Sequence, residues 1–85
     1  MIADAQTLSR LRWSARRGLL ENDLIIERFF NRYINTLTME DVYAMDQLLD
    51  LSDNDLLDLL LKRREPEDSL DNSGVVKILQ MMRQL

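Results

Sequence analysis

Eighty-five residues suffice for one folded unit and little more, because a chain this short buries only a modest core. Apolar residues make up 46% and are spread along the chain, so folding is expected despite 31% charged residues and a formal net charge of -4. Cysteine and histidine are both absent, which excludes disulfide staples, thiolate-bound metal, a His-based triad and a thiol nucleophile, and leaves helix packing to supply the stability.

In chain order, a first helix is expected from about Ala5 to Ala15, with Leu8, Leu11 and Ala15 repeating at helical spacing. Gly18, after Arg17, has low helix propensity and readily takes the left-handed conformation, so a corner is expected there. A longer helix from about Leu19 to Asn35 carries Leu20, Leu24, Ile25, Ile26, Phe29, Phe30, Tyr33 and Ile34, and Leu37 continues the stripe. This stripe is the expected spine of the core.

Thr38 followed by Glu40 and Asp41 reads as a capped start for a third helix, about Met39 to Leu49. Val42, Met45, Leu48 and Leu49 form its buried face, with Tyr43 and Ala44 at the margins. Ser52, Asp53 and Asp55 repeat the capping chemistry before a short leucine-rich helix through Leu56, Leu57, Leu59, Leu60 and Leu61. Lys62, Arg63 and Arg64 are expected in its last turn, and Pro66 stops it. A polar loop over Glu65 to Gly74 leads to a final helix with Val75, Val76, Ile78, Leu79 and Met82. The expected fold is therefore all-α, a compact five-helix bundle forming one domain over residues 1–85, with an ordered core of about 7–84. No window approaches the roughly 20 apolar residues of a membrane span. The start also lacks the pattern of a secretory signal. A cytoplasmic chain without direct membrane insertion is the resulting expectation.

Charge is concentrated. Between Leu8 and Leu20 the charged residues are Arg10, Arg12, Arg16 and Arg17, and this stretch also holds Trp13 and Gly18, whereas Glu40 to Asp71 is strongly acidic. The plainer reading makes Trp13 core, the arginines a solvated face, Gly18 a helix end and Glu21 a partner of the next helix's positive end. Nucleic-acid binding is disfavoured by the net negative charge. Two glycines in the whole chain exclude a P-loop and a dinucleotide-binding fingerprint, and the carboxylates read as solubilising residues of polar helix faces.

The pattern Arg10, Trp13, Arg16, Arg17, Gly18, Glu21 and Asp23, with Arg17-Gly18-x-x-Glu21 at its centre, resembles the bacterial FAD assembly factors of succinate dehydrogenase, the SdhE or YgfY family. The resemblance continues through Phe29-Phe30, the acidic start of the third helix, Asp53-x-Asp55-Leu56 and Pro66, covering roughly residues 8–82. Asn22 departs from it, standing where an apolar residue is expected; Leu59 replaces a common Trp, and Arg64 a common Gly.

The resemblance implies a five-helix protein, not itself an enzyme, that promotes covalent attachment of FAD to a histidine of the succinate dehydrogenase flavoprotein subunit. Some relatives also serve fumarate reductase. It implies that Arg17, Gly18 and Glu21 contact the immature flavoprotein, that Trp13, Arg16 and Asp23 support or extend that surface, and that this chain holds no cofactor of its own. Two other readings stay open at this stage: delivery of FAD by the factor itself, and an antitoxin-like or cytoskeletal regulator acting through protein contacts.

Overall fold

Side-chain caps decide where most of the helices begin. The structure, a computed structural model, describes residues 2–15 and 18–85, and in it five α-helices follow in order: α1 (Ala5–Ser14), α2 (Leu20–Tyr33), α3 (Met39–Leu49), α4 (Asp53–Leu60) and α5 (Ser73–Arg83). Asp4 accepts from the Thr7 amide, Thr38 from Asp41, Ser52 from Asp55 and Asn72 from Val75, each satisfying a donor that the first helical turn leaves unpaired. At α3 the exchange is reciprocal, since the Asp41 carboxylate also accepts from the Thr38 amide at 2.9 Å. Helix α2 differs: its N-cap is Leu19, whose side chain makes no capping hydrogen bond.

The all-α expectation holds. Among the described residues the extended pairing is a single isolated bridge between Ile2 and Thr38, beside which the Ala3 amide donates to the Leu37 carbonyl at 2.9 Å and buries Ala3. The Cα radius of gyration of 11.8 Å matches the roughly 12 Å of a compact chain of this length.

The core gathers Phe29, Phe30, Leu37, Met45, Leu48, Leu59, Ile78 and Leu79, all essentially without solvent contact. Phe29 meets Phe30 edge-on at 5.8 Å and Tyr33 at 5.3 Å between ring centroids, within the range that aromatic pairs favour. The most extensive helix pairing is α3 with α5. Ala44, expected at the margin, is instead buried, because a Cβ added at Gly74 in the first turn of α5 would stand 3.5 Å from the Ala44 methyl.

The expected elements need four further corrections. Helix α5 starts at Ser73, capped by Asn72, so Gly74 lies inside the helix, and the polar loop before it contains a short 3-10 helix (Asp68–Leu70). Leu61, expected within the fourth helix, is instead its exposed C-cap. Asp41 is buried although charged, because Lys77 of α5 reaches its carboxylate at 3.0 Å.

The fourth correction concerns the exit of α4. Lys62, Arg63 and Arg64 follow that helix rather than occupying its last turn. Lys62 sits at φ 64, its amide donates to the Leu59 carbonyl, and the Arg63 amide donates to the Asp58 carbonyl at 2.8 Å. This is a Schellman closure with lysine where glycine is favoured. Arg83 seals the same exit. Its guanidinium donates to the Leu59 and Arg64 carbonyls at 2.7 and 3.1 Å and pairs with both Glu65 carboxylate oxygens.

Lys62→Gly removes the left-handed strain of a residue with a Cβ and is expected to stabilise the chain by about 0.5–1 kcal/mol in urea unfolding. Acid should act through Asp41. Burial raises its pKa, but the Thr38 amide and the Lys77 ammonium outweigh that and hold the carboxyl below the ordinary aspartate value; the Thr7 amide does the same for Asp4. A lowered folded pKa means stability that is present above the ordinary value and lost as pH falls through the folded one. Stability is therefore expected to decline below about pH 3.9. In denaturant unfolding at stepped pH, Asp41→Asn should be less stable than wild type at pH 7 and show a shallower acid decline.

Candidate partner-binding site

The described motif residues flank the connection between α1 and α2. Helix α1 presents Leu8 and Leu11 inward, and Ala15 at its end is buried, while Trp13 on the opposite side is 78% exposed. The reading of Trp13 as a core residue is thus overturned. Helical phase explains it: Leu8, Leu11 and Ala15 occupy one face, and Trp13 falls two residues from both Leu11 and Ala15, on the other.

Arg12 turns toward α2 instead. Its guanidinium donates to the Asn31 side-chain oxygen at 2.9 Å and lies 5.9 Å from the Phe30 ring centroid, so α1 is tied laterally to α2. Beneath it, Arg12, Ala15, Asp23, Ile26, Glu27 and Phe30 line a cleft of about 200 Å³. That is smaller than the roughly 300 Å³ at which small-molecule pockets begin.

Gly18 is exposed at φ +88, the left-handed conformation anticipated for the corner. Among the described residues, a Cβ built there would have no heavy atom within 4 Å, so the outer side of the glycine is open toward them. Its amide donates to the Asp23 carboxylate at 3.2 Å. Glu21 is exposed in the first turn of α2, and Asp23, two residues on in the same turn, is half-buried. The structure therefore places Trp13, Gly18 and Glu21 on the surface and joins Gly18 to Asp23. Arg16 and Arg17 lie outside the described residues.

Asn22 occupies the next position and is fully buried. Its side-chain amide donates to the Asp53 carbonyl at 2.9 Å, linking the start of α2 to the first turn of α4, while its Oδ1 is buried without a hydrogen-bond partner among the described residues. An apolar side chain would suit the site, consistent with the family pattern from which Asn22 departs.

Sequence periodicity misassigned two leucines. Leu20 and Leu24, counted in the core stripe, are 66% and 49% exposed. A helical wheel centred on Phe29, Phe30 and Ile26 carries the missing signal, because about 100° per residue puts Leu20 and Leu24 on the far side and within one arc of Glu21. The surface beside Glu21 is thus partly apolar.

Comparison with known proteins agrees with the motif. The family described as the flavinator of succinate dehydrogenase matches residues 9–83. This chain belongs to that family. A relative in Ralstonia nicotianae named FAD assembly factor SdhE is 57% identical over 81 residues, covering 95% of this chain and 85% of its own length. A protein of the same name in Coxiella burnetii is 39% identical over 72 residues, 85% of this chain and 88% of that one. The family extends to a yeast mitochondrial member, succinate dehydrogenase assembly factor 2 of Lodderomyces elongisporus, 34% identical over 70 residues, 79% of this chain and 43% of that protein. No solved structure matches the chain. Among the described residues of this family member, no helix is long and apolar enough to cross a membrane.

If Leu20 and Leu24 are surface residues, replacing each with Ser should shift unfolding free energy by no more than about 0.5 kcal/mol. Phe29→Ala, which empties a core site, should cost about 3–5 kcal/mol in the same denaturation assay.

Proposed function

We propose that this chain is a cytoplasmic assembly factor that binds the flavoprotein subunit of succinate dehydrogenase and promotes covalent attachment of FAD to a histidine of that partner. The flavoprotein subunit of fumarate reductase is the second client to test. The observation that carries the reading is the open corner: in a member of this family, no other described residue crowds the outer side of Gly18, and Glu21 is exposed beside it.

The chemistry asks little of the factor. Bond formation requires the partner's imidazole and the flavin methyl carbon at reacting distance, so a protein that favours one arrangement of the partner accelerates the step by positioning. The reacting groups belong to the client, and FAD is attached there rather than held by this chain. Gly18 lets a client surface approach the backbone closely; Glu21 accepts hydrogen bonds from client donors; Arg17 pairs with a carboxylate or a carbonyl. Trp13 adds an exposed aromatic face, the residue type that most often anchors protein interfaces, with Arg16 and Asp23 supporting or extending the surface.

The test is deletion of the gene followed by in-gel flavin fluorescence of the flavoprotein subunit, with rescue by wild type, Gly18→Arg or Glu21→Ala. An arginine at φ +88 costs this chain about 1–2 kcal/mol in backbone strain. No other described residue crowds the glycine, so the variant should remain folded by circular dichroism. Wild type is expected to restore covalent flavin, and each variant to restore less than a tenth of it. Normal FAD attachment with the folded variants would refute the proposed surface.

A further inference from the structure

Helix α2, which leads away from the open corner, starts without a side-chain cap, since Leu19 at the N-cap position offers no acceptor. The corner is organised from farther along the chain. The Asp23 amide donates to the Leu19 carbonyl at 3.0 Å, which places its backbone inside the helix, while its carboxylate reaches back five residues to accept from the Gly18 amide at 3.2 Å.

That contact joins Gly18 to the first turn of α2. Glycine at φ +88 has no Cβ to restrict it, and no heavy atom of the other described residues stands within 4 Å of where a Cβ would point, so their packing on that side does not select the conformation. A carboxylate acceptor does select it, because a charge-assisted hydrogen bond is directional and stronger than a neutral one, and the first turns of a helix favour negative charge.

We infer that Asp23 is a positioning residue, whose carboxylate holds the Gly18 peptide in its left-handed conformation and so presents the open face of the corner, ready-made, to the flavoprotein client. The inference rests on the docking role proposed above and assigns Asp23 a task distinct from contact with the client. Without the carboxylate, Gly18 samples many conformations and must be ordered on binding, which weakens apparent affinity by the fraction of chains that are competent.

Two readouts on the full chain test this: hydrogen exchange of the Gly18 amide by NMR in the free protein, and affinity for the purified flavoprotein subunit by titration calorimetry. Asp23→Ala should speed Gly18 exchange by about tenfold and weaken binding by about tenfold, the loss expected for one charge-assisted hydrogen bond. Asp23→Asn keeps a neutral side-chain oxygen acceptor and should recover part of both. Unchanged Gly18 exchange in Asp23→Ala would overturn the inference. So would an Asp23→Asn protein that protects Gly18 yet binds as poorly as Asp23→Ala, since the charge itself would then be meeting the client. Glu21→Ala separates the two proposals: wild-type affinity in that variant defeats the docking role of the corner, whereas Gly18 exchange in the free chain still judges the hold that Asp23 has on the glycine.

Discussion

Burial of one continuous apolar cluster, with Phe29 and Phe30 of α2 set among Met45, Leu48, Leu59, Ile78 and Leu79, is the constraint on which the rest of the molecule depends. The chain contains no cysteine, so no disulfide limits the unfolded state, and a unit of this size has little core to spare. Each helix therefore has to surrender its apolar face to the cluster. The polar contacts refine this packing rather than replace it: Lys77 to Asp41 ties α5 to α3, and Arg83 ties the end of α5 to the exit of α4.

Because α2 is held by its inner face, its outer face is free to serve another purpose. Leu20 and Leu24 are exposed beside Glu21, and Trp13 is exposed at the end of α1, all outside the buried cluster. Solvent-facing side chains add little to the stability of the isolated chain, and these three lie within or beside the family motif. Site and core thus draw on opposite sides of the same helix, which lets the surface change without disturbing the bundle.

Helix ends express the same division. The starts of α1, α3, α4 and α5 are closed by neighbouring Asp, Thr, Ser and Asn side chains, whereas α2 begins at an apolar N-cap next to an exposed left-handed glycine. A local cap would have placed a polar side chain at Leu19 and bound the first amides of α2. The Asp23 carboxylate instead engages the Gly18 amide from within the first turn of the helix.

Local chemistry determined much of this from the sequence alone. The caps at Thr38 and Ser52, the break at Gly18 and the three- and four-residue apolar spacings are short-range properties, so five helices and the bounds of α3 were legible, and the Arg17-Gly18-x-x-Glu21 motif pointed to the candidate site. Tertiary structure decided what spacing cannot: which of two apolar stripes on α2 faces inward, that Trp13 faces out, and that Asn22 and Asp41 are buried. Those outcomes depend on partners distant in sequence, Asp53 for Asn22 and Lys77 for Asp41.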